Sequence, residues 1–290
     1  MSNSNSPIKK VFAIHDLSCF GRCSLAVIIP TLSALGLQAI PIPTALLSTH
    51  TGGFTDLFFQ DMSSAMKSIK EHYERIGLQP DAIYSGFLGS SQQIEIVIDY
   101  IETFTKPSCP PCPVIVDPVM GDDGEIYSTY TKELMFGMRS LCAKADIITP
   151  NLTEACFLTD TEYKTCENCT EAQASKYALE LCNKMHAQLG TQKIALTGIH
   201  FSSNKIGTYV FEEKTGKMHS QPSLSKNYPG TGDIFASVLL GKLLKGSDFT
   251  DAAVIASQFI HDTIEYTMQW DTPIREGVLL EGCLHQLLNK

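Results

Sequence analysis

Residues 11–42 read VFAIHDLSCFGRCSLAVIIPTLSALGLQAIPI, and how this stretch is divided decides the fold class. From Cys23 to Thr55 no residue carries a formal charge, with His50 counted neutral, so hydropathy alone suggests a membrane helix. Pro30, Gly36, Pro41 and Pro43 interrupt the run, and Ser33, Gln38 and Ser48 are polar. A spanning helix needs about 20 consecutive apolar residues. The better division is a strand over residues 11–15, a helix over residues 24–35 stopped at Gly36, and a second strand over residues 38–42.

Outward from this unit the same alternation continues. Met62, Met66, Ile69, Tyr73 and Ile76 recur at three- and four-residue spacings, one face of a helix ending at Gly77. A strand is predicted at 82–84, a helical stripe from Ile94 to Phe104, a strand at 114–116, a helix at 133–143 and a strand at 147–149. A further helix face runs from Ala174 to Met185, stopped near Gly190, before a strand at 194–196. Residues 208–212 and 217–221 read as an antiparallel pair around Lys214-Thr-Gly216, and from Gly232 onward the pattern is mostly helical. Apolar strands alternating with amphipathic helices predict a three-layer α/β/α fold with a mostly parallel central sheet. No linker, repeat or low-complexity segment appears, so residues 1–290 are expected to form a single domain.

Composition narrows the class. Of 290 residues, 43% are hydrophobic and 18% charged, which is globular rather than disordered. The net charge of −9 lacks the basic footprint of a nucleic-acid binder. The apolar run near the N-terminus is only Val11–Ile14, too short for a secretory signal, so a cytoplasmic, reducing setting is expected. Cys109-x-x-Cys112 and Cys166-x-x-Cys169 have metal-like spacing, but the pairs lie much farther apart than the ~15–20 residues of a zinc ribbon. They read as unligated thiols, with a surface metal site or a redox pair as the alternatives. The sequons at Asn151 and Asn168 are then chance matches.

In a parallel sheet, ligands bind beyond the carboxyl ends of the strands, so polar residues there carry the chemistry. No GxGxxG follows the first strand, and no P-loop, HExxH, GxSxG or kinase HRD motif occurs. Tyr228-Pro-Gly-Thr-Gly-Asp233 leads directly into a helix. Glycines there leave backbone N–H groups free, and with the helix dipole these make an anion site. Asp233 reads either as a helix N-cap or as a general base beside a phosphate cradle of Gly230, Thr231 and Gly232. Asp117-Pro-Val-Met-Gly-Asp-Asp-Gly-Glu125 holds four carboxylates, either a solvated turn or a hold on a magnesium–nucleotide complex. In Thr149-Pro-Asn-Leu-Thr-Glu154, Asn151 and Glu154 either cap a short helix or hold metal-bound water. Thr197-Gly198 either turns the chain or contacts a nucleotide.

These motifs, in this order, resemble the ribokinase-like superfamily, and within it the pyridoxal/pyridoxine/pyridoxamine kinases. Ile14-His-Asp-Leu-Ser-Cys-Phe-Gly-Arg-Cys-Ser24, Leu47-Ser-Thr-His-Thr-Gly-Gly53 and Tyr84-Ser-Gly-Phe-Leu-Gly89 are similar to stretches of bacterial pyridoxamine kinases. DPVMGD, TPNLTE and PGTGD match as well, and the resemblance runs from about Val11 to about Gln269.

The resemblance implies a ribokinase-like fold and ATP-dependent phosphorylation of the 5′-hydroxymethyl group of B6 vitamers. It makes Asp233 the catalytic base and the amides of Gly230 to Gly232 the anion hole. It places Asp117, Asp122, Asn151 and Glu154 around the phosphates and Mg2+, with Asp117 and Glu154 at the metal. Thr197 and Gly198 fall in the ATP site, and Asp16, Ser18, Thr51 and Phe87 beside the vitamin. Residues 121–127 match a mobile segment over the active site. Similar enzymes are homodimers that use MgATP, often with a monovalent cation such as K+.

The sequence departs from the family at two positions. Serine is common where Asp16 stands, and tyrosine where Phe87 stands. A carboxylate at 16 can pair with a protonated ring nitrogen or an aminomethyl group, which favours pyridoxamine. Hydroxymethylpyrimidine kinase of thiamine synthesis is the alternative enzyme, although its glycine-rich DPSGGAG-type N-terminus is missing. A non-catalytic paralogue that binds a B6 vitamer or nucleotide is the third reading, against which the retained Asp233 and glycine cradle argue. His15 reads as a buried structural histidine; His50 is open between structure and function.

Overall fold

The structure, a computed structural model, describes residues 7–105, 111–127, 130–202 and 204–288. In chain order, the elements to the middle of the chain are β1 (Lys10–Phe20), α1 (Leu25–Ala34), β2 (Gln38–Thr49), β3 (Phe59–Asp61), α2 (Ser63–Arg75), β4 (Ala82–Ser85), α3 (Ser91–Phe104) and β5 (Val114–Val116). There follow β6 (Gly121–Asp122), β7 (Glu125–Ile126), α4 (Lys132–Cys142), β8 (Ile147–Ile148), α5 (Leu152–Leu158) and α6 (Glu171–Leu189). The last are β9 (Lys193–Phe201), β10 (Lys205–Glu212), β11 (Thr215–Pro222), α7 (Thr231–Leu244) and α8 (Phe249–Thr267).

Among the described residues nine strands form one sheet in the order β11-β10-β9-β8-β5-β4-β1-β2-β3. The six central strands, β9 to β2, are parallel, and β3, β10 and β11 join antiparallel at the two edges. One face buries Leu25, Ile28 and Leu32 of α1 with Ile234, Val238 and Leu239 of α7 and Phe249 and Ala256 of α8. The other buries Met66, Val97, Tyr100, Leu134, Met138, Leu152 and Leu181 from α2 through α6. Both faces are covered, which is why the short central strands β5 and β8 are buried at every position and do not alternate with polar residues. This is the expected three-layer α/β/α arrangement. Among the described residues no helix is long and apolar enough to cross a membrane.

Pro41 and Pro43 lie inside β2. They pair with Ala13 and His15 of β1 on one side, and β3 begins to pair only at Ala45, so the other side has no strand to receive an N–H there. The strand therefore tolerates residues that read as breakers in the sequence.

Local signals end the helices as expected in several places. Thr170 and Gln173 form a reciprocal capping box on α6, and Gly190 closes it at φ 79°. Other boundaries differ. β1 runs to Phe20 and β2 to Thr49, five and seven residues past their expected ends, because each lengthens the other's ladder. β3 and the β6–β7 hairpin carry too few residues to show a period. The expected helical continuation to the C-terminus stops at Thr267, and residues 274–287 form short 3-10 turns.

Of the two cysteine pairs, Cys109 lies outside the described residues. Cys166 and Cys169 bracket a tight turn in which the Cys169 N–H donates to the Cys166 carbonyl at 2.7 Å. Cys166 and Cys169 are free thiols, as are Cys19, Cys23, Cys142, Cys156, Cys182 and Cys283.

Candidate active site

A cavity of about 510 Å³ opens at the carboxyl end of the parallel strands. Asp16, Thr51, Phe87, Asp117, Asp122, Asn151, Glu154, Thr197, Gly198 and Gly230–Asp233 all line it. Ser18 is the exception. It is fully buried behind the wall and donates its hydroxyl to Asp16 Oδ2 at 2.8 Å. On a strand, residues 16 and 18 share a face, so Ser18 supports the carboxylate from below.

The glycine-rich entry to α7 is built by close backbone approach. Gly230 is the N-cap at φ 80°, and a Cβ there would lie 2.0 Å from the Arg22 carbonyl oxygen. Only glycine fits. Gly232 differs, since a Cβ there would meet Asp117 Oδ2 at an ordinary 3.5 Å. The first-turn N–H groups have no partner within the helix and lie at the positive end of its dipole. Asp233 occupies this first turn as its third residue, so the N-cap reading does not hold.

Asp233 is 8% exposed. Its Oδ2 accepts from the Ser24 backbone N–H at 2.8 Å and from the Cys23 thiol at 3.5 Å. Burial raises its carboxyl to about 6; the Ser24 N–H opposes the shift and the charge of Asp16 adds to it. The Cys23 thiol is pushed up by burial and by the Asp233 charge, so it remains a thiol.

Asp16 sits where the β1–β2 register slips, between His15 and Leu17, and not beyond the strand end. Ser24 and Ser18 donate hydroxyls to its two oxygens, the former at 2.6 Å. Burial nevertheless raises its pKa. Thr197 and Gly198 likewise lie within β9, at the irregularity where its pairing with β10 shifts, with Gly198 at φ 69°.

The acidic run 117–125 divides by burial. Asp123 and Gly124, both at positive φ, form the two-residue turn of the β6–β7 hairpin. There Asp123 and Glu125 are exposed. Asp117 is buried against Asp233, and burial first, then that charge, raise its carboxyl to about 8. Asn151 and Glu154 do form the expected capping box on α5. Glu154 accepts from Asn151 N–H at 2.8 Å and from Met120 N–H at 3.1 Å, while Asn151 Nδ2 donates to the Gly121 carbonyl at 2.8 Å. The capping bonds thus hold the hairpin beside the cavity. Burial and the Asp117 charge push the Glu154 carboxyl well up.

The two flanking histidines separate. His50 Nδ1 accepts from Gly52 N–H and its Nε2 lies 2.6 Å from the Arg275 carbonyl, the pattern of a neutral ring tying the C-terminal segment to the cavity wall. His15 is fully buried as expected, but among the described residues neither ring nitrogen has a hydrogen-bond partner.

Ser24 and Cys23 stood in the quoted N-terminal stretch without a role, and His200 and His219, which also line the cavity, carry no motif. No local signal marks them; their places follow from strand pairing across the sheet.

Six carboxylates line the cavity, those of Asp16, Asp117, Asp122, Asp123, Glu154 and Asp233, and no lysine or arginine is among its described lining residues. Asp117 and Glu154, buried and mutually repelling, are oxygen donors of the kind a hard divalent cation takes.

A family profile described as phosphomethylpyrimidine kinase matches residues 29–275. The chain is 39% identical to a crystal structure of a putative phosphomethylpyrimidine kinase from Bacteroides thetaiotaomicron in a form with pyridoxal, covering 97% of this chain and 96% of that one at a TM-score of 0.86. It is 28% identical to pyridoxal kinase from Lactobacillus plantarum, again over 97% and 96% at a TM-score of 0.86. A hydroxymethylpyrimidine/phosphomethylpyrimidine kinase from Bacillus subtilis is 26% identical over 82% of this chain and 81% of its own length.

Proposed function

Because the chain belongs to the phosphomethylpyrimidine kinase family and is a kinase that phosphorylates an alcohol, we propose that it transfers the γ-phosphoryl group of ATP to the 5′-hydroxymethyl group of B6 vitamers. The observation that carries this reading is the placement of Asp233. A buried carboxylate stands in the first turn of α7, at one cavity wall with Asp16 and beside the Gly230–Gly232 amides. The relative in the pyridoxal-containing crystal form supports the choice of acceptor.

In this reading Asp233 takes the proton of the acceptor hydroxyl as its oxygen bonds to the γ-phosphorus. The bond from that phosphorus to the β,γ-bridging oxygen breaks, and its electron pair leaves with ADP. The amides of Gly230, Thr231 and Gly232 hold the charge on the transferring group. Asp117 and Glu154 would hold Mg2+, with Asp122 and Asn151 near the phosphates and Thr197 and Gly198 along the nucleotide. Bound Mg2+ would neutralise phosphate charge, which a wall of six carboxylates with no lysine or arginine among its described residues requires. A monovalent cation such as K+ would serve the same balance. Asp16 would pair with a positive group of the vitamer, Thr51 and Phe87 would contact its ring, and Ser18 would steady Asp16. Closure of the 121–127 hairpin would exclude water.

The whole chain, 1–290, acts in this reading as one cytoplasmic kinase unit. It works as a homodimer, for which exposed Phe58 and Phe59 at the β3 edge offer an apolar contact. Hydroxymethylpyrimidine kinase is the second reading, favoured by the family description and the Bacillus subtilis relative. ADP-release assays with pyridoxal, pyridoxine, pyridoxamine and hydroxymethylpyrimidine test both. Turnover only with the pyrimidine would replace the B6 reading, and turnover with none would leave a binding protein.

A further inference from the structure

His15 lies on β1 with its side chain fully buried, and neither ring nitrogen has a hydrogen-bond partner among the described residues. A leucine would fill such a place without stranding a donor, so an unpaired imidazole there calls for a reason. Its surroundings are specific. The ring packs edge-on against Tyr84 at 4.2 Å between centroids, and a Cβ on Gly86 would lie 2.1 Å from its Cε1. Its Nδ1 stands 3.7 Å from Asp233 Oδ1. The other carboxylate oxygen, Oδ2, is the one already held by Ser24 and Cys23. Tyr84, which packs on the ring, also donates its hydroxyl to the Asp233 backbone carbonyl at 3.4 Å. Hydrogen bonds in catalytic sites are often long without ligands and tighten when the substrates bind.

We propose that His15 is a positioning residue for Asp233: with donor and acceptor bound, its Nδ1–H donates to Asp233 Oδ1 and fixes the plane of the carboxylate against the acceptor hydroxyl. Burial lowers the pKa of His15 to about 3, so it acts as a neutral dipole and takes no proton itself. The inference rests on the reading of Asp233 as the base.

The test combines kinetics with a measurement on the unaltered protein. Replacing His15 with Leu or Met should lower kcat roughly ten- to a hundred-fold while KM for ATP and for the vitamer barely moves. His15→Gln, which keeps an N–H donor, should recover most of the loss. In an Asp233→Asn background the His15 substitutions should have no further effect. Full turnover in Asp233→Asn would sink the base itself, whatever His15 does. An inactive Asp233→Asn with undiminished kcat in both apolar His15 variants would sink only the positioning role, as would a Gln variant no better than Leu. Should the apolar variants fail to fold, nitrogen-15 histidine spectra of the wild-type protein decide. The His15 Nδ1–H signal should shift to a hydrogen-bonded position when a non-hydrolysable ATP analogue and a vitamer are both added; an unmoved signal overturns the inference.

Discussion

The backbone N–H of Ser24 donates to Asp233 Oδ2 at 2.8 Å, joining residues 209 positions apart. The hydroxyl of the same serine donates to Asp16 Oδ1 at 2.6 Å. Ser24 adopts φ 51° and ψ −134° to make both bonds, a conformation that costs a non-glycine residue about 1–3 kcal/mol. Hydrogen bonds to charged groups contribute about 1.5–3 kcal/mol each, enough to hold it there. One strained residue thus fastens the carboxylate read as the base to the one read as the acceptor's partner.

Asp233→Asn or Asp233→Ala should lower kcat about 10²- to 10⁴-fold, the range for loss of a general base, with much smaller changes in substrate affinity. The wild-type carboxyl lies at about 6. Since the ionised form is the active one, kcat/KM should fall as the pH drops below that value. A flat profile between pH 5 and 7 would remove Asp233 as the base.

Ligand-free, metal-free protein should lose stability as the pH rises. The carboxyls of Asp117 and Asp233 sit at about 8 and about 6 in the fold, above the ordinary carboxylate value. The folded state therefore keeps protons that the unfolded chain releases, and this contribution is full below about pH 4 and lost on the way to pH 8. Thermal melts in EDTA should show Asp117→Asn declining less over that window than the wild type; parallel curves would contradict the shift.

Glu154→Gln should raise the Mg2+ concentration needed for half-maximal rate. The substitution also turns an acceptor into a donor beside either the Asn151 or the Met120 N–H, at a cost of about 1–3 kcal/mol. A melting curve must accompany the titration. An unchanged Mg2+ dependence in folded protein would count against a metal role.

Asp16→Ser should weaken discrimination in favour of pyridoxamine. It removes the carboxylate that Ser18 and Ser24 orient, and with it the charge read as the partner of an aminomethyl group. Ratios of kcat/KM among the three vitamers that match the wild type would refute the assignment.

Gly230→Ala and Gly232→Ala should part company. Alanine at 230 meets the Arg22 carbonyl at 2.0 Å and a φ of 80°, so the protein should be strongly destabilised. Alanine at 232 meets nothing closer than 3.5 Å, so the variant should fold and report on phosphate binding through KM for ATP. Equal melting temperatures for the two would contradict the packing at Gly230.

The alternation of periods two and 3.6 along the chain carries the α/β class, because burial on both faces of a sheet leaves that pattern in local sequence. The PGTGD, DPVMGD and TPNLTE segments were legible as site candidates for a similar reason. Each keeps its polar residues within a few positions of a strand end or helix start. β3 and the β6–β7 hairpin were not legible, being too short for any period. Ser18 read as a wall residue since nothing local distinguishes a carboxylate's support from its neighbour.

What residues 1–290 determined on their own is the order of strands and helices and the supply of carboxylates and glycines, all properties of neighbouring residues. Tertiary structure alone decided that Ser24 joins Asp16 to Asp233, that positions 16 and 197–198 lie in register slips, and that His15 faces Asp233 with no hydrogen-bond partner among the described residues. The reason is physical: hydrogen-bond geometry, register and desolvation depend on which distant segments are pressed together, and no window of sequence contains both sides of such a contact.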